Sequence, residues 1–150
     1  MFINAFFAFL HFVAAFGVVA TVVTEWLTLS RTPTLAEALR LQRVDACYGL
    51  FAMLVLVVGF LRVFYFEKGS AWYLSNQVFW TKLALFAVVG LLSIYPTVLF
   101  LAWRKETSQG KAPVLTEKQF LRLRLLLRAE VGLLLLVVFS ASMMAKGIGH

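Results

Sequence analysis

A single cysteine, Cys47, excludes an internal disulfide and every centre that needs paired thiols, whether a CxxC redox site or a cysteine-rich zinc site. Histidine is almost as scarce: His11 and His150 are the only two. No glycine-rich phosphate loop, zinc spacing or soluble catalytic constellation is present, and no internal repeat stands out. Charge is thin as well. Asp, Glu, Lys and Arg make up 14% of the chain, against about 25% in ordinary soluble domains.

What fills the chain instead is apolar. Hydrophobic residues account for 62% of the 150, more than a water-soluble core of this length can hide. They come in four blocks, Ile3–Leu29, Ala46–Phe66, Val78–Trp103 and Leu125–Ala145. Each is long enough to cross about 30 Å of hydrocarbon, which takes about 20 helical residues. The expectation is an all-α integral membrane protein, a four-helix transmembrane bundle forming a single domain over residues 1–150. No Lys or Arg precedes the first block, and it is longer than the apolar region of a secretory signal, so it reads as a retained helix.

Orientation follows from the basic residues, which are retained on the cytoplasmic side. The connections between helices 1 and 2 and between helices 3 and 4 carry Arg31, Arg40, Arg43, Arg104, Lys105, Lys111, Lys118, Arg122, Arg124 and Arg128. The opposite side has Arg62, Lys68 and Lys146. In a bacterial inner (cytoplasmic) membrane this puts both termini in the periplasm. The net charge of +7 is thereby explained by topology and anionic lipid, and nucleic acid is not an expected partner.

TLAE at Thr34–Glu37 and TEKQ at Thr116–Gln119 match the capping-box pattern. They predict helices starting near Leu35 and Glu117, well before the apolar blocks, with their basic first turns protruding. The outer connection is short and aromatic, with Tyr65, Trp72, Tyr73 and Trp80 at interface depth. Gly69 and Asn76 supply turns around a short interfacial helix.

Polar residues inside the blocks fall on one face. At about 100° per residue, Asn4, His11 and Glu25 share a side of helix 1 with Ala14, Ala15, Val18 and Val22, a small-residue face suited to close packing in lipid. On helix 3, Lys82, Val89, Ser93 and Pro96 align, with Gly90 and Thr97 at the edge. Pro96 lacks an amide hydrogen and frees the carbonyl of Leu92, so a kink is expected there, with Thr97 or a water placed to satisfy that carbonyl. Gly49, Ala52 and Gly59 on helix 2 suit internal packing or a homo-oligomer. Cys47 reads as a small packed residue.

Lys82 is the odd residue, because a lysine at bilayer depth costs about 2.5 to 3.5 kcal/mol to insert. It and His11 both lie in the outer halves of their helices, while Glu25, Arg43, Asp45, Arg128 and Glu130 gather at the cytoplasmic ends, where opposite charges can pair. No carboxylate lies near the outer pair in sequence, so Lys82 lacks an anion. Snorkelling of Lys82 and a hydrogen-bonded packing role for His11 are the plain alternatives.

Taken together, His11 in FLHFVAAFG, the stretch Arg43–Gly49, Lys82 in VFWTKLALF and the Arg128/Glu130 entry to helix 4 resemble HemJ-type protoporphyrinogen oxidases. The segments FEKGSAWYLSNQVFWTKLALF and GLLSIYPTVLFLAWR more closely resemble an uncharacterised bacterial DUF family of four-helix membrane proteins, to which the HemJ type would be related. The HemJ resemblance implies a b-type haem with His11 as axial metal ligand. It implies Lys82 at a haem propionate or a substrate carboxylate, as a cofactor-binding and catalytic residue, with a quinone or a porphyrin-like compound as substrate. The implied role is electron transfer or membrane oxidoreductase chemistry. One departure stands out: late helix 3 reads SIYPT without histidine, so a second axial histidine from the same chain has to be His150. The rival expectation is a cofactor-free bundle acting as a structural or assembly subunit. Copper or proton transfer through His11, Met143 and Met144 has less support, since no Met-x-x-Met or cysteine pair accompanies them.

Overall fold

Four helices in the computed structural model, which describes residues 2–66 and 69–149, are long and apolar enough to cross a membrane. They are α1 (Phe2–Thr28), α2 (Leu35–Leu61), α4 (Gln77–Ala102) and α6 (Glu117–Ala145). A π-helical turn, Arg62–Phe66, prolongs α2; the short helix α3 (Ser70–Ser75) follows, and one turn of helix, α5 (Arg104–Thr107), follows α4. There is no strand among the described residues. Lys68 and His150, both used in the sequence argument, lie outside them.

The starts of α2 and α6 are fixed by the expected side chains. Thr34 Oγ1 accepts from the amide of Glu37 at 3.2 Å while Glu37 Oε2 accepts from the amide of Thr34 at 2.8 Å. Thr116 and Gln119 repeat the arrangement at 3.2 and 3.0 Å. Each box satisfies amides that have no partner within the helix, so these helices begin in water ahead of their apolar stretches. Asn76, fully buried, caps α4 by accepting from the amide of Phe79 at 3.1 Å. Its Nδ2 also donates to the carbonyl of Ile148, which ties the last turn of the chain to the start of α4. Gly149, at φ +112°, sits against that asparagine where a Cβ would collide with Oδ1.

The helices pack as two hairpins. α1 runs along α2, α4 runs along α6, and α1 meets α6 between them. The buried side of α1 is the one the periodicity indicates over Ala14, Val18, Val22 and Glu25, whereas Asn4, in the first turn and beyond the reach of the neighbouring helices, is exposed. Close approach within the first hairpin rests on glycine, since a Cβ at Gly17 would overlap the ring of Phe51. Three apolar layers stack along the bundle: Val63, Phe79 and Met144 at the outer end; Val18, Val22, Tyr48, Val89, Leu127 and Leu134 in the middle; Ala38, Leu41, Phe100, Trp103 and Leu123 at the inner end. Large apolar side chains such as Phe9, Phe16, Leu50, Leu91, Leu135 and Phe139 face outward, the inverse of a soluble protein and the arrangement lipid requires.

α2 and α4 touch far less than the partners within either hairpin, and a seam lies between them. Two clefts lie along it, about 410 Å³ toward the inner end and about 220 Å³ nearer the middle, with Tyr48 lining both. Cys47 is exposed on α2 rather than packed, because its place in the helical turn lies outside the buried stripe of Leu41, Asp45 and Tyr48.

Candidate functional site

Polar groups collect at two depths. At the outer end, the half-buried imidazole of His11 packs against α2 where the chain has glycine: a Cβ at Gly59 would come within 3.2 Å of His11 Cε1. Three residues further along, Arg62 places its guanidinium 5.9 Å from the centroid of the Phe12 ring, next to His11 in sequence. The charge of Arg62 also reaches Lys82 on α4, whose Nζ lies 5.7 Å from the centroid of the Phe79 ring. His11, Arg62 and Lys82 therefore belong to one end of the bundle, although neither His11 nor Lys82 lines the two seam clefts. The one salt bridge among the described residues is Arg31–Glu117 at 3.4 Å, far from this site on the exposed inner side, so Lys82 has no carboxylate partner among those residues. Arg62 is the outer residue that sequence reasoning passed over. Its signal was present, as one of the few basic residues on the side where they are scarce.

At the inner end the structure departs from the expected ion-pair cluster. Glu25 of α1, Asp45 of α2 and Glu130 of α6 are each at most 8% exposed and lie near enough for their charges to act on one another. Arg43 and Arg128 do not join them. Both are exposed, and Arg128 lies over Trp26 with its guanidinium carbon 5.7 Å from the ring centroid. The reason is reach: a long side chain near a helix end gets to water and a ring face, whereas the short carboxylate arms stay where the backbone directs them. Arg104, at the mouth of the larger cleft, is the cation whose charge reaches Asp45.

Thr97 Oγ1 donates to Asp45 Oδ1 at 2.7 Å across the α2–α4 seam, so it does not serve the carbonyl freed by Pro96. α4 runs unbroken through that proline. Tyr48, one helical turn beyond Asp45, is reached by the charges of all three carboxylates. Nearer the inner surface Gln42 Nε2 donates to the carbonyl of Phe100 at 3.0 Å and to Thr107 Oγ1 at 3.3 Å, a second polar tie across the same seam. Oε1 of Glu25 and Oε1 of Glu130 are buried without a hydrogen-bond partner.

The described residues contain no group of three or more His, Cys, Asp or Glu placed to hold a metal ion. For an implied haem, the outer end offers donors of the right kind, one imidazole and two cations of the sign propionates need, with the imidazole itself filling the space that a Cβ at Gly59 would take.

Four membrane-length helices with apolar exteriors and polar groups gathered inside at two depths define a multi-pass helical membrane protein. Residues 3–149 match the family described as "Predicted membrane protein (DUF2214)", and the chain belongs to that family. No curated protein and no solved structure matches it.

Proposed function

We propose that this membrane protein binds a b-type haem at its outer end and serves electron transfer or a HemJ-like oxidoreductase reaction in the bacterial inner membrane, with both termini periplasmic. The observation that carries the reading is the conjunction of His11 packed on Gly59 with Lys82, a half-buried lysine without a carboxylate partner among the described residues. The resemblance to HemJ-type sequences supports it. His11 would hold the iron, and Lys82, with Arg62 close by, would meet propionates or the anionic group of a porphyrin-like or quinone-type substrate. When bound, the group supplies one-electron chemistry. Gly59 leaves the imidazole room, and the aromatic rings of Phe12 and Phe79 keep the cations at the edge of the apolar region.

The experiment is spectroscopic. Protein expressed with ample haem and purified in detergent is expected to show a Soret band, which His11→Ala abolishes while helicity by circular dichroism is retained. Colourless wild-type protein, or an unchanged His11→Ala spectrum, leaves the cofactor-free bundle. The packing of His11 on Gly59 is the observation that favours that second reading, since an interhelical histidine against glycine also does purely structural work.

A further inference from the structure

The inner carboxylates are about 21 Å from the outer site, counting 14 residues from His11 to Glu25 along α1. They are independent of any cofactor there. Three carboxylates lie at the inner end of the bundle, within range of one another, and among the described residues no basic side chain forms a salt bridge with any of them. Arg43 and Arg128 turn outward, and Arg104 stands at the cleft mouth. Glu25 and Glu130 are 2% and 1% exposed, and each has an Oε1 without a hydrogen-bond partner.

An ionised carboxylate in such surroundings is costly unless something compensates it, and carboxylates close together cannot all carry charge. A positive species has to accompany them. A metal ion would need ligands converging on one point, and the described residues offer no such group. A proton needs only a carboxylate oxygen and a route.

The route is visible in the larger cleft. It runs along the α2–α4 seam from Gln42 and Arg104 to Asp45, Tyr48 and Thr97, and its volume of about 410 Å³ is room for several waters. Asp45, 8% exposed, lines it and holds one oxygen on Thr97. Glu25 and Glu130 do not line it, and the charge of Asp45 reaches both.

We propose that Glu25, Asp45 and Glu130 form a proton-exchange site, with Asp45 as the entry group and the two glutamates as the buried holders, open through the α2–α4 cleft to the end of the bundle marked by Arg104. In the step itself, a hydronium ion in the cleft gives a proton to the Asp45 carboxylate and leaves as water. Asp45 passes it to Oε1 of Glu25 or Glu130, and the carboxylate form of Asp45 is restored. Arg104 favours that form of Asp45 between transfers. No electron moves and no bond to carbon changes.

The test uses the full chain in lipid nanodiscs, followed by infrared spectroscopy of the carbonyl stretch of protonated carboxylic acids at neutral pH. Wild-type protein is expected to show the band and to shift it promptly in deuterated buffer. Glu25→Gln and Glu130→Gln should each remove part of it, and the double variant should remove most. No band at neutral pH, or a band unchanged in the double variant, overturns the proposal. A band that does not shift in deuterated buffer marks sealed structural acids and overturns it too.

Gly49→Leu then tests the route, because Gly49 lines the cleft and a Cβ there meets nothing within 4 Å. The exchange should slow by about tenfold or more with the band intact. Unchanged exchange rules out entry through the cleft. Loss of the band on adding sodium at fixed pH would identify a cation site instead. Because none of these readouts involves haem, the proposal can fail while the outer-site reading stands, and the reverse.

Discussion

Thr97 Oγ1 and Asp45 Oδ1 are 2.7 Å apart, a side-chain tie between α2 and α4 along the seam that holds the two clefts. Hydrogen bonds to charged groups contribute about 1.5–3 kcal/mol, and Thr97 is the donor that holds Asp45 in the cleft. Thr97→Val preserves the shape and removes the donor. It should lower stability in detergent unfolding by about 1–3 kcal/mol, whereas Thr97→Ser should stay near wild type. Equal stability of the valine variant would mean that Asp45 finds another donor.

The α1–α2 hairpin depends on the pairing of Gly17 with Phe51. Gly17→Val should destabilise the protein by about 1–3 kcal/mol through overpacking. Adding Phe51→Ala should recover part of that loss, because the clash is with this one ring. A double-mutant cycle gives the coupling, and additive losses would show that the notch is not what sets the spacing.

At the outer end, Lys82→Met keeps a long apolar stem and removes the charge. In the haem reading it should retain the Soret band with weakened retention of haem and reduced activity, the opposite pattern to His11→Ala. Haem titration of apoprotein measures it. Equal affinities in wild type and Lys82→Met would show that Lys82 meets no propionate.

Ser108, after α5, and Ser75, at the end of α3, are both exposed and lie on opposite sides of the bundle in the proposed topology. In a Cys47→Ser background, a cysteine at 75 should react with an impermeant thiol reagent in intact cells. A cysteine at 108 should react only after lysis. The reverse pattern would turn the protein over in the membrane.

Hydropathy and helical period determined much of this protein before any packing was known. The four apolar blocks became four spanning helices, the two capping boxes sit at Thr34 and Thr116, and the buried stripe of α1 is the one its 3.6-residue period marks. These are local properties: a helix in lipid satisfies its own backbone, so its existence needs no neighbour. Neighbourhood was decided by the tertiary structure. In the sequence Glu25, Asp45 and Glu130 each lie within a few residues of an arginine or of another polar group, and charge alone suggested pairing. Rotation about the helix axes, set by contacts such as Gly17 with Phe51, brought the carboxylates together and turned Arg43 and Arg128 outward. The same rotation left α2 and α4 apart, with Asp45 and Thr97 facing across the seam. No single helix carries that information, because it depends on which side chains fill the space between two helices.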